Sequence, residues 1–106
     1  KWQLPEHPVC RGLATSFEAN DELYHRLTLA PGVEVLASAM SPKTMGGTGE
    51  REPLVWTNAY GKGRVFFTTL GHDALAFDQP GMRALIARGV EWAATGGVAV
   101  GLASAR

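Results

Sequence analysis

Tyr60–Asp73, YGKGRVFFTTLGHD, is the stretch that decides how this chain is read. Nearly unbroken apolar and β-branched residues from Arg64 to Leu70 read as a strand, and that strand stops on Gly71-His72-Asp73. In open α/β sheets ligands bind in the crevice beyond the carboxyl ends of the strands, so an imidazole and a carboxylate delivered there by a rigid element are site candidates. Histidine titrates near neutrality and serves as acid, base or ligand, whereas His72 and Asp73 at a turn are equally suited to capping the next segment.

Upstream, Pro53–Asn58 is a second strand-like run, joined to Arg64–Leu70 by Ala59-Tyr60-Gly61-Lys62-Gly63, whose glycines supply the positive φ of a hairpin. The two are expected to pair antiparallel. Downstream, Met82, Leu85, Ile86, Gly89, Val90 and Ala93 recur at helical spacing and predict a helix capped by Asp78, with Pro80 in its first turn and Gly96-Gly97 at its end.

Residues 1–16 contain Pro5, Pro8 and Gly12 and read as an extended connector. In 17–29, Asn20 or Asp21 suits the cap of a short helical turn, and His25–Leu29 alternates like a half-buried strand. Ala30-Pro31-Gly32 is a turn, and Val33–Met40 a strand entering a core. Ser41–Glu52, rich in Gly, Thr and charge, predicts a mobile surface loop and a lid for the His72 corner. The apolar tail 98–106 reads as strand or disorder.

The chain has 106 residues, 45% of them hydrophobic, and ten basic residues balance ten acidic ones. One domain, 1–106, follows, without the electrostatic footprint of a nucleic-acid or anionic-membrane binder. A single cysteine, Cys10, excludes an internal disulfide framework and a cysteine-rich zinc site, and with no apolar run of membrane length a cytoplasmic protein is expected. The three histidines show no His-x-x-x-His spacing, so no metal site is assigned; Gly46-Gly47-Thr48-Gly49 lacks the strand, helix and lysine of a phosphate loop. Asp21 and Glu22, ahead of Tyr24, are chemically suited to sugar hydroxyls or a divalent cation, although Asn-Asp-Glu is also what capping of a helix produces. His7 reads as a turn stabiliser and His25 as solvent-facing; Trp56, Tyr60, Phe66 and Phe67 are packing residues first.

HPVCRGL, NDELYHRL, VEVLASA, GGTGEREPLVWTNAYGKGRVFFTTLGHD and the closing GVEWAATGG together resemble the latter half of a trehalose-utilisation (ThuA-like) domain. That resemblance implies an α/β, flavodoxin-like three-layer sandwich of the class I glutamine amidotransferase type, present here as its C-terminal portion. It also implies a role in catabolism of trehalose or related keto-sugars. Glutamine hydrolysis is disfavoured: Cys10 lies in a proline-flanked segment without a strand-elbow-helix context, and the position two beyond His72 is Ala74. The expected site is therefore His72 and Asp73 as catalytic groups, with Asp21, Glu22, Tyr24 and Gly71 binding a small-molecule sugar and the cofactor left open. A non-catalytic sugar-binding or assembly module and an inactive truncated fragment are the alternatives; the last predicts an exposed sheet edge that drives homo-oligomerisation.

Overall fold

A computed structural model of the chain describes residues 1–14, 16–19 and 21–99. Three strands, β1 (Glu34–Met40), β2 (Arg51–Tyr60) and β3 (Gly63–Thr68), form an antiparallel sheet in the order β1-β2-β3. A single helical turn, α1 (Ala74–Phe77), and a longer helix, α2 (Pro80–Thr95), follow. The mixed α/β class is as expected; among the described residues the sheet pairs antiparallel throughout.

The predicted hairpin forms, with Tyr60 opposite Gly63 and Gly61-Lys62 as its two-residue turn. Gly61 has φ 58° and no positive φ occurs at Lys62, the pattern of a type II′ turn, whose twist matches that of the strands. Strand alternation then divides the sheet. Phe66 pairs with Thr57 on the face covered by α2, and its ring lies directly against Gly89, where a Cβ would collide with it. Phe67 pairs with Trp56 on the opposite face, and the two rings stack at 4.6 Å and 13°. Register shifts in β1 and β2 leave Leu36 and Leu54 out of the ladder, and Leu36 is fully buried.

The core comprises Leu36, Val55, Met82 and Leu85 together with Trp2, Val9 and Cys10 from the first segment. That segment is more than a connector. Trp2 bridges to Ala37 at the β1 edge, and its indole nitrogen donates to Ala14 O at 2.6 Å. Residues 7–13 turn tightly, with the amides of Cys10 and Arg11 both donating to His7 O. Arg88 of α2, 1% exposed, donates to Val9 O at 3.1 Å and Arg11 O at 2.6 Å and so fastens this turn to the helix.

Several expectations are corrected. Gln79, not Asp78, caps α2, accepting from Met82 N at 3.0 Å; Asp78 ends α1 and pairs with Arg83 at 2.9 Å. His25–Leu29 is not a strand: Arg26 takes φ 55°, and the segment runs irregularly. No helical turn forms over 21–25, and Asn20 lies outside the described residues, as do 100–106 of the tail. Val90, expected in the buried stripe, is 67% exposed.

Candidate active site at the end of the third strand

Met40 pairs with Arg51 and Val55 with Thr68, so the end of β1, the start of β2 and the end of β3 share one end of the sheet. The 41–50 connection and the Gly71-His72 corner therefore both leave the sheet at that end. Gly71 has φ 109°, and a Cβ at this position would lie 2.8 Å from Phe77 Cζ. Only glycine makes this bend without strain, which explains why the strand turns off here.

The side chain that closes on the bend comes from fifty residues upstream. Asp21 Oδ2 accepts from Gly71 N at 2.6 Å and Oδ1 from His72 N at 3.2 Å, while Oδ1 also accepts from Glu22 N at 2.8 Å. A carboxylate gripped by three amides anchors its own backbone, and the next residue is placed accordingly. Glu22 Oε2 lies 3.4 Å from His72 Nδ1, both side chains about half exposed. Asp73 faces the other way along the chain: its Oδ1 accepts from Ala76 N at 3.0 Å as the N-cap of α1. Four of the six residues singled out in the sequence, Asp21, Glu22, Gly71 and His72, thus converge, Asp73 supports the neighbouring helical turn, and Tyr24 lines a groove on the outer sheet face with Trp56, Phe67 and Thr69.

On the inner side of the corner, Asp21, Glu22 and Leu70 border a partly enclosed cavity of about 150 Å³, floored by Trp2, Phe17 and Leu85. Sequence reasoning missed this space, because its walls come from six separated segments with no common motif.

The 41–50 connection is ordered around one hydroxyl. Ser41, 1% exposed, shares a hydrogen bond of 2.9 Å with His25 Nε2 and accepts from Thr48 N at 3.0 Å. Thr48 in turn donates to Glu52 at 2.8 Å. The strap 21–25 consequently spans from the His72 corner to this connection, and His25, exposed as expected, also tethers it. Among the described residues, no group of three or more His, Cys, Asp and Glu side chains is arranged to hold a metal ion.

The sequence profile described as trehalose utilisation (ThuA) matches residues 2–93. The chain belongs to the ThuA family. The crystal structure of a ThuA-like protein from Parabacteroides merdae ATCC 43184 superposes with a TM-score of 0.84 at 40% identity, over 92% of this chain and 38% of that one. The ThuA chain described here thus spans well under half the length of that relative. No curated protein matches it. No helix among the described residues is long and apolar enough to cross a membrane.

Proposed function

We propose that the Gly71-His72 corner is the working site of a protein of trehalose or related keto-sugar catabolism, with His72 as general acid or base. The observation that carries this reading is the Glu22 carboxylate 3.4 Å from His72 Nδ1, held there by the three-amide grip on Asp21. A carboxylate at Nδ1 favours the tautomer protonated on that nitrogen and leaves Nε2 to exchange a proton with a sugar hydroxyl. Both side chains are half exposed, so a small molecule reaches them. In the same reading the chain is the C-terminal portion of a flavodoxin-like, amidotransferase-like sandwich; the 38% coverage of its longer relative supports only that it matches a part of such a protein.

Glutamine hydrolysis has no support from Cys10. Burial pushes its thiol up to about 12, opposite to the lowered value a thiolate nucleophile needs. A sugar-binding or self-assembling module is the second reading, favoured by the outer sheet face, where Val65, Phe67 and Tyr60 are exposed.

The test is product analysis with trehalose, glucose and keto-sugars on the wild-type chain and His72→Ala. Turnover by the wild type and a loss of about 10²- to 10⁴-fold in the variant are expected for a proton-transfer residue. Unchanged turnover in the variant overturns the assignment; sugar binding with no turnover in the wild type moves the protein to the second reading.

A further inference from the structure

We propose that the cavity beside Glu22 seats one pyranose ring of the sugar, with the C–H face of that ring on the Trp2–Phe17 pair and its hydroxyls on the polar groups of the border. The inference rests on the reading of the corner as a sugar site and says how that sugar is held.

The volume limits the occupant first. The cavity holds about 150 Å³, on the scale of one that accepts a single six-membered ring, and it is only partly enclosed, so ring substituents can project from it. Two linked rings exceed this space. A disaccharide such as trehalose therefore enters with one ring and leaves the other outside, at the rim that Glu22 shares with His72.

The lining is mixed in the way a sugar ring is mixed. Trp2 and Phe17, with rings tilted at 59° and centred 5.9 Å apart, join Leu70 and Leu85 as its apolar part. The Trp2 ring is fixed in place, because its indole nitrogen donates to Ala14 O at 2.6 Å. An aromatic face is negatively polarised and attracts the C–H bonds on the face of a pyranose. Polar groups come from two parts of the chain: Asp21 and Glu22 on the strap, Lys1 and Ser16 on the first segment. Amides occupy the Asp21 oxygens, whereas Glu22 meets His72 through Oε2 and leaves Oε1 to accept. The Lys1 ammonium only donates, the Glu22 carboxylate only accepts, and the Ser16 hydroxyl does both. A ligand hydroxyl serves all three, so a ring that carries several of them satisfies this border, while a bare hydrocarbon would leave it unpaired.

The experiment titrates the chain with methyl α-glucoside, trehalose and mannitol, following the indole N–H resonances of Trp2 and Trp56 by NMR. Mannitol is the control, since it offers hydroxyls on a flexible chain with no ring face. The glucoside and trehalose are expected to bind within about threefold of each other, because one ring is held in each case, and at least about tenfold more tightly than mannitol. Both should shift the Trp2 signal and leave that of Trp56, on the opposite sheet face, unchanged. Ala39→Phe, which grows a ring into the cavity from its β1 wall, should abolish binding while circular dichroism shows an intact fold. Ala39→Leu carries the same test with a smaller added volume should the phenylalanine variant not fold. Mannitol binding as tightly as the sugars, no binding of either sugar, a shift at Trp56 in place of Trp2, or sugar binding that survives filling of the cavity overturns the proposal. His72→Ala should keep the sugar affinity and the Trp2 shift. Binding in the cavity without turnover would therefore sink the catalytic reading and leave the subsite standing, and turnover that persists in the filled variant would do the reverse.

Discussion

Both oxygens of Asp21 are taken by amides, and this makes the residue the hinge pin of the corner: it ties Gly71 and His72 to the strap that presents Glu22. Asp21→Asn keeps the size but replaces one acceptor oxygen with an NH₂ that faces a donor. Charge-assisted hydrogen bonds of this kind contribute about 2 kcal/mol, so the melting temperature should fall by about 8 °C in a domain of this size. Thermal unfolding by circular dichroism reads it directly, and a melting temperature within a degree of wild type would show the grip to be unimportant. The acidic character of Asp21-Glu22 and the chemical promise of His72 were legible in the sequence. Their meeting was not, because a side chain pairing across fifty residues leaves no local periodicity or spacing to read. Asp73 illustrates the reverse case: its adjacency to His72 suggested a partnership, while its position one residue before a helical turn gives it a cap to make.

At the scale of elements, β3, its antiparallel hairpin with β2 and α2 follow from alternation, glycine placement and helical spacing, and could be read in advance, whereas the two-residue type II′ turn could not. The details of α2 could not. Periodicity put Val90 inside and left Arg88 out, yet Arg88 is buried and Val90 exposed, because the carbonyls of Val9 and Arg11 need a donor and the guanidinium supplies it. Arg88 Nε and Nη2 find no partner among the described residues, and burial holds this guanidinium below its ordinary value, with Cys10 partly opposing that shift. Arg88→Ala removes the donor and opens a cavity, and should destabilise the fold by about 3 kcal/mol, with the amides of residues 9–11 losing hydrogen-exchange protection first. Protection unchanged at those amides would mean that α2 does not hold the turn. The expected strand over His25–Leu29 failed for a related reason: the Ser41 hydroxyl captures His25, and a side-chain hydrogen bond to a distant turn overrides a short alternating pattern.

For the molecule as a whole, two groups in the first turn set opposite limits on its pH range. His7 packs against Trp92 at 5.1 Å and accepts from Val9 N at 3.2 Å through Nδ1; burial lowers its pKa from 6.5, with Glu34 acting the other way. The unfolded chain therefore binds more protons, so this contribution is complete above about pH 6.5 and is lost as pH falls below it. Cys10 is raised from 9.0 to about 12 by burial, against the pull of Arg88, so the unfolded chain sheds its proton first and stability declines as pH climbs from about 9 to 12. Urea midpoints across pH 5–11 should accordingly show a plateau near pH 7–9 with both shoulders. His7→Phe should flatten the acid shoulder and Cys10→Ala the alkaline one; shoulders that persist in the variants would assign the titrations elsewhere. The mixed α/β class was readable from the three strands and two helices, whereas the docking of residues 1–14 on β1 and α2 was not, since it depends on bonds to residues far along the sequence.

The clasp between Arg88 and the carbonyls of Val9 and Arg11 has a temporal meaning as well. Its two halves are separated by 77 and 79 residues of sequence. During synthesis the turn at residues 7–11 leaves the ribosome well before α2 and waits, unsecured, until that helix follows; an early-made turn is locked late.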